Sequence, residues 1–245
     1  MIRLENIHKK FGEQEVHKGI TFTARDRETI VILGKSGGGK SVLLKMIIGL
    51  IKPDIGTIEV DGKDVSKMTF PELQKLRFKF GFLFQNAALF DSMSVGENIA
   101  LALERHSNYT KDEVIDRVEY ALNVVGLENS AHKMPSQLSG GMKKRVGLAR
   151  AVVLTPKYML YDEPTTGLDM ETADGINLLI NELKNTIGMT SIAVTHDIHS
   201  AFLIGDRFTI FDKGKVRMTG TKEEILNSND EEIRKYIQSE IETKG

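Results

Sequence analysis

The chain has 245 residues, 40% hydrophobic and 27% charged, so it can bury one sizeable core and has the balance of an ordinary α/β domain. A formal net charge of −1 leaves no electrostatic footprint for wrapping a nucleic acid, and the lack of cysteine excludes disulfides and thiolate metal sites and fits a reducing cytosol. No secretory pattern opens the sequence and no apolar run is long enough to span a bilayer, so work at a membrane is expected to go through a partner.

Over residues 1–55, short apolar segments at 2–7 and 16–24 alternate with turn residues, and residues 57–60 followed by Asp61-Gly62 read as a hairpin strand. Together they predict an antiparallel flap. Phe11 falls in the first turn, where its ring either stacks on a planar base or packs at the edge of the core. Residues 29–33 form a buried β-branched strand and residues 42–50 a helix. Between them stands Gly34-Lys35-Ser36-Gly37-Gly38-Gly39-Lys40-Ser41, which fits G-x-x-x-x-G-K-[ST]. Its glycines let the backbone turn N–H groups inward around a polyphosphate, and the helix N-terminus adds the positive end of its dipole. Lys40 is then placed to reach the β/γ-phosphates and Ser41 a Mg²⁺ ion. The alternative, a flexible loop with a chance lysine, rarely sits between a buried strand and a helix. Val42 stands where a second hydroxyl usually follows, so one hydrogen bond near the α-phosphate is expected to be missing.

Residues 71–78 predict a short helix feeding a strand at 80–84, which ends at Gln85. From 86 to about 155 the spacing is mostly helical, with Val114, Val118, Leu122 and Val125 on one face, so a helical subdomain is inserted between core strands. Within it Leu138-Ser139-Gly140-Gly141-Met142 opens a helix striped by Met142, Val146, Ala149 and Val153. A glycine-containing helix start with a serine hydroxyl is either an N-capped loop or a second anion site. The following Lys143-Lys144-Arg145 reads as a solvated face or a weak acidic contact.

Apolar runs at 158–161, 191–194 and 208–211, separated by helical stretches, predict parallel strands joined by crossover helices. The first ends in Asp162-Glu163-Pro164. Side chains alternate along a strand, so the two acids have different tasks: Asp162 to complete a Mg²⁺ shell, Glu163 to face a γ-phosphate and take a proton from an attacking water. Pro164 is expected to hold Glu163 extended. Ile233, Ile237 and Ile241 mark a closing amphipathic helix that docks on its own core or on another copy.

In this order and spacing the motifs resemble the nucleotide-binding subunits of ABC transporters, over nearly the whole chain. The matching features are the aromatic Phe11, Walker A at 34–41, the Q-loop glutamine Gln85, the signature at 138–142, Walker B ending in Asp162-Glu163, the D-loop Gly167-Leu168-Asp169 and the switch histidine His196. The resemblance implies a single α/β domain over 1–245, a P-loop NTPase core of the ABC ATPase type. Residues 1–85 and 156–229 would form the ATP-binding core with its antiparallel β-subdomain, 86–155 the helical subdomain and 230–245 a C-terminal helix. It implies ATP and Mg²⁺ as cofactors, with Phe11 on adenine, residues 34–42 on the phosphates, and Ser41, Gln85 and Asp162 at the metal. Glu163, His196 and Gln85 would serve hydrolysis. Ser139, Gly140 and Gly141 would act on ATP held by a second copy in a head-to-tail dimer, with Asp169 at that interface.

A finer resemblance, carried by Gly39-Lys40-Ser41-Val42 and residues 83–93 and 142–150, is to the Mla-type ATPases of MCE-protein lipid transport. It implies phospholipid transport with this chain peripheral on the cytoplasmic face of the inner membrane, an integral membrane permease, an MCE-type substrate-binding protein and a small regulatory subunit as partners, and no nucleic acid. In these relatives the C-terminal segment engages the partner copy. Branches importing amino acids or other small solutes share much of the same wording. A soluble ATPase acting on ribosomes or DNA fits less well, since neither a second cassette nor a long insertion is present, and a P-loop kinase would not need the second anion site.

Overall fold

The structure is a computed structural model that describes residues 1–35, 37–105 and 109–242, with side chains to residue 238. Ser36 of the predicted phosphate loop and the Ile241 side chain of the predicted tail stripe lie outside the described residues. Strands β1 (Ile2–Phe11) and β2 (Gln14–Ala24) pair antiparallel across a two-residue turn in which Gly12 has φ +55°. Strand β3 (Thr29–Leu33), buried at every residue, runs into the glycine loop and helix α1 (Lys40–Ile47). Strands β4 (Ile55–Val60) and β5 (Lys63–Asp64) complete an antiparallel sheet of order β2-β1-β4-β5, the flap expected from the sequence.

Helix α2 (Phe70–Arg77), opened by a Thr69–Glu72 capping box, leads to β6 (Phe80–Leu83). The helical segment follows as α3 (Val95–Glu104), α4 (Lys111–Val124) and α5 (Gly140–Val152). Each starts on a hydroxyl: Ser94, Thr110 and Ser139 accept the backbone N–H of Glu97, Glu113 and Met142. The two predicted stripes meet in one core, with Val118, Leu122 and Val125 from the first and Val146, Ala149 and Val153 from the second.

The chain returns through β7 (Tyr158–Asp162), α6 (Met170–Ile187), β8 (Thr190–Thr195), α7 (Ile198–Ile204), β9 (Arg207–Asp212), β10 (Lys215–Gly220), α8 (Lys222–Leu226) and α9 (Glu231–Glu242). The second sheet has the order β10-β9-β3-β8-β7-β6 and is parallel except for the β9–β10 hairpin. Its central strands β3, β7 and β8 are buried throughout, as a parallel sheet covered on both faces requires. Alternation along β3 feeds two cores. Ile30 and Ile32 join Leu43, Leu44 and Ile58 beneath the antiparallel sheet, while Val31 and Leu33 join the core that continues into α3–α5. Ile233, Tyr236 and Ile237 of α9 are buried in that second core, so this face of the tail docks on its own chain. Among the described residues no helix is long and apolar enough to cross a membrane.

Candidate active site

The strand order brings the carboxyl ends of β3, β8, β7 and β6 side by side, the place where open parallel sheets bind ligands. There Gly37, Gly38, Gly39, Lys40, Ser41, Val42, Gln85, Glu163 and His196 border one open cleft of about 410 Å³. Phe11 stands at its rim. The ring is 47% exposed and outside both cores, with Lys9 Nζ 5.3 Å from its centroid. Gln14, Val16 and Thr166 also line the cleft and were not singled out from the sequence.

The loop's shape depends on close backbone approach at both ends. A Cβ on Gly34 would come within 2.6 Å of the Phe211 carbonyl oxygen. Gly39 caps α1 at φ +85°, and a Cβ there would lie 2.3 Å from Val16 Cγ1 and 2.9 Å from His17 Nε2. The fully buried His17 was also missed. Its Nε2–H donates to the Gly39 carbonyl at 3.0 Å, since a carbonyl can only accept, and Nδ1 has no hydrogen-bond partner among the described residues. Burial lowers the His17 pKa, with the bond to Gly39 opposing, so the ring is neutral at pH 7. Lys35 is outside the cleft lining and borders a crevice with Arg217, Glu232 and Tyr236, while its carbonyl accepts Lys40 Nζ.

The buried Lys40 ammonium donates to the carbonyls of Gly34 (2.6 Å) and Lys35 (3.1 Å) and lies 3.6 Å from Glu163 Oε1. Ser41 Oγ donates to Asp162 Oδ1 at 2.7 Å. Burial raises the Asp162 pKa; the Ser41 bond opposes this and the Glu163 charge adds to it. The two neighbouring acids do face different partners. Glu163 Oε2 accepts from Thr166 Oγ1 (2.9 Å), His196 Nδ1 (2.9 Å) and Thr195 Oγ1 (3.3 Å), which leaves Oε1 toward Lys40.

Two expectations are corrected here. Glu163 is not extended: its φ is +50°, in the left-handed region, at a cost of about 1–3 kcal/mol for a residue with a side chain. Pro164 only disfavours the right-handed helical region, and tertiary hydrogen bonds select the rest: the Glu163 N–H donates to Val194 O at 2.9 Å and its carbonyl accepts Lys144 Nζ at 3.0 Å. Nor is Lys144 solvated. It is buried on α5 and donates to the carbonyls of Gln85 and Glu163. Burial lowers its pKa to about 8, against the attraction of Glu163 and Asp162. A signal was present, since Gly141, Lys144, Leu148 and Val152 recur at helical spacing on a buried face. The flanking Lys143 and Arg145 hid it.

Ser139, Gly140, Gly141 and Asp169 do not line the cleft. Ser139 and Asp169 cap α5 and α6, and the two helix starts abut: a Cβ on Gly141 would lie 2.4 Å from Thr172 Cγ2, and one on Gly140 3.4 Å from Leu168. The chain therefore presents two separate glycine-bearing helix starts, one on the cleft and one beside α6.

Residues 17–166 match the ABC transporter family. The probable ribonucleotide transport ATP-binding protein mkl of Mycobacterium bovis is 38% identical over 236 residues, covering 96% of this chain; the chain spans 66% of that relative's length. The intermembrane phospholipid transport system ATP-binding protein MlaF of Haemophilus influenzae is 35% identical, covering 98% of this chain and 91% of its own. A methionine import ATP-binding protein, MetN 2 of Bacillus licheniformis, is 36% identical, covering 100% of this chain and 74% of its own. Among solved structures, the dimeric post-hydrolysis state of the ATP-binding cassette MJ0796, bound to ADP and Pi, superposes with a TM-score of 0.83 at 34% identity over 90% of this chain and 98% of that one. With the phosphate loop, the paired acids and the second glycine helix start in place, the chain belongs to the ABC transporter family, as one of its ATP-binding domains.

Proposed function

We propose that the chain is the ATP-hydrolysing motor subunit of a membrane transporter. The observation that carries the reading is Glu163: three donors hold one carboxylate oxygen and the other faces Lys40 in the cleft. In this reading Phe11 stacks on adenine, and residues 34–42 cradle the phosphates. Lys40 leaves the loop carbonyls to pair with the γ-phosphate. The hydroxyl of Ser41 and the carboxylate of Asp162, with the Gln85 amide on the cleft wall, are the hard oxygen donors that suit Mg²⁺. Among the described residues no cluster of three or more His, Cys, Asp or Glu could hold a metal by itself, which fits an ion that arrives with a nucleotide. When bound, Mg²⁺ neutralises charge on the phosphates. Glu163 takes a proton from water as the water oxygen bonds to the γ-phosphorus and the bond to the β-phosphate oxygen breaks, leaving ADP and phosphate. His196 and Thr166 keep the carboxylate aimed, and Gln85 reports on the metal and the water.

Ser139, Gly140 and Gly141, which do not line the cleft of their own chain, close over ATP held by a second copy, with Asp169 at the junction. This is supported by the dimeric state named for the MJ0796 cassette. A groove of about 420 Å³, lined by Phe78, Phe82, Phe84 and Phe90 with Arg77 and Arg105, would receive the permease beside the Gln85 segment. Phospholipid is the proposed cargo, supported by the 35% identity to the Haemophilus phospholipid system and by Val42. An MCE-type protein and a small regulatory subunit complete that assembly, with this chain peripheral on the cytoplasmic face of the inner membrane. The comparable 36% identity to a methionine importer supports small-solute import as the second reading.

Glu163→Gln keeps shape and hydrogen bonding but removes the base, so turnover should fall by roughly 10²–10⁴-fold while ATP still binds. Undiminished turnover would overturn the reading. For the cargo, mass spectrometry of the purified membrane complex should find phospholipid; a soluble receptor for a polar solute in its place would favour the importer.

A further inference from the structure

The two loops that meet at the catalytic cleft are joined to the helical subdomain by one buried ammonium. Lys144 is 5% exposed, and its Nζ donates to the backbone carbonyls of Gln85, at the end of β6, and of Glu163, at the end of β7. These two carbonyls, with the attraction of Glu163 and Asp162, offset the several kcal/mol that burying a charge costs. What distinguishes them is the backbone they belong to. Glu163 has φ +50°, and just beyond Gln85 the consecutive residues Ala87 and Ala88 have φ +57° and +48°. Side-chain-bearing residues hold such angles only where the surroundings over-determine them.

Helix α5 supplies those surroundings along one face. Below Lys144, Gly147 lets the helix approach so closely that a Cβ there would lie 2.8 Å from Leu83 Cδ1 and 3.1 Å from Ala87 Cβ. One turn on, Arg150 donates to the carbonyls of Ala87 (2.6 Å) and Ala88 (2.8 Å). The segment after Gln85 is thus held at successive points by α5, and the first of these also holds Glu163.

We propose that Lys144 is a positioning residue for hydrolysis. It ties Gln85 and Glu163 to the helix that begins at Ser139, so a displacement of the helical subdomain shifts the glutamine and the base together. The inference rests on the roles of Glu163 and Gln85 proposed above. Lys144 acts through backbone carbonyls and touches no reacting atom.

The test compares wild type, Lys144→Met, Lys144→Arg and Glu163→Gln in thermal melting, ATP binding and steady-state hydrolysis. Lys144→Met keeps an unbranched side chain one atom shorter and removes both bonds. Its kcat should fall roughly 10- to 100-fold with KM for ATP within about threefold of wild type, the split expected when a base is misplaced but the nucleotide seat is intact. Its melting temperature should change little, because the removal of a buried charge offsets the loss of its bonds to two carbonyls. Lys144→Arg keeps a cationic donor and should recover most of kcat. Wild-type kcat in Lys144→Met, alongside an inactive Glu163→Gln, would overturn the role of Lys144 and leave the base standing. Full activity in Glu163→Gln would instead remove the base on which the inference rests. A parallel loss of melting temperature, ATP binding and kcat would mark Lys144 as merely structural and also overturn it. Should Lys144→Met not fold, Lys144→Gln, with a shorter donor, is judged by the same split.

Discussion

Among single residues, the burial of His17 has a measurable pH signature. Its ring is enclosed beside Val16 and edge-on to Phe211, 6.5 Å between centroids, with one nitrogen committed to the Gly39 carbonyl and the other without a hydrogen-bond partner among the described residues. Burial sets the folded pKa below the unfolded value, so the unfolded chain takes up the proton first. The stability due to a neutral His17 is therefore complete above about pH 6.5 and is lost as pH falls through the interval between the two values, by up to about 1.4 kcal/mol per pH unit. Melting temperature followed from pH 8 to 5 should fall more steeply for wild type than for His17→Leu, which has nothing to protonate there. Parallel curves would show that His17 accepts a proton in the folded chain as readily as in the unfolded one. The same bond braces the last glycine of the phosphate loop, a link between β2 and α1 that residue spacing could not reveal.

Among the elements, α9 behaves differently from what its spacing alone could specify. Four-residue repetition of isoleucine identifies an amphipathic helix, and a helix this short needs a seat. Ile233, Tyr236 and Ile237 have found it on the chain's own core, and the Tyr236 hydroxyl donates to the His196 carbonyl at 3.3 Å, beside the cleft. Truncation after Asn229 should lower the melting temperature by several degrees, because two isoleucines each worth about 1.5–3 kcal/mol of burial are lost. Scans of the truncated and full-length chains at a concentration where both sediment as monomers separate this loss from any contact with a second copy. Equal melting temperatures would mean that the helix contributes nothing where it sits.

For the whole molecule, the separation of the two glycine-bearing helix starts carries the kinetic prediction of the proposed dimer. Ser139 and Asp169 lie outside the cleft that holds Lys40, Glu163 and His196, so in the proposed dimer each catalytic centre is shared between two chains. Wild-type hydrolysis should then rise faster than linearly with protein concentration while monomers predominate. Excess Ser139→Ala chains mixed into wild type should poison it, because most wild-type clefts would face a partner without the hydroxyl. A specific activity independent of concentration, in a protein shown to sediment as a monomer throughout, would refute the shared site.

Much of this was legible in the sequence because it depends on local chemistry. Glycines followed by Lys40 and Ser41 between a β-branched strand and a helix are constrained by dihedral freedom and strand burial, and the stripes at Val118–Leu122 and Val146–Ala149 report helix faces directly. The buried runs of β3, β7 and β8 announced a parallel sheet for the same reason. Tertiary structure decided what stands opposite each face. Lys144 sits in a run of cations that reads as solvated, yet the rotation of α5 turns it onto two carbonyls at the ends of β6 and β7. Glu163 takes a left-handed φ that Pro164 alone does not dictate, because Val194 and Lys144 hold its backbone. Periodicity records that a side is covered; only the packed sheet, with its order β9-β3-β8-β7-β6, determines that residues 40, 85, 163 and 196 share one cleft.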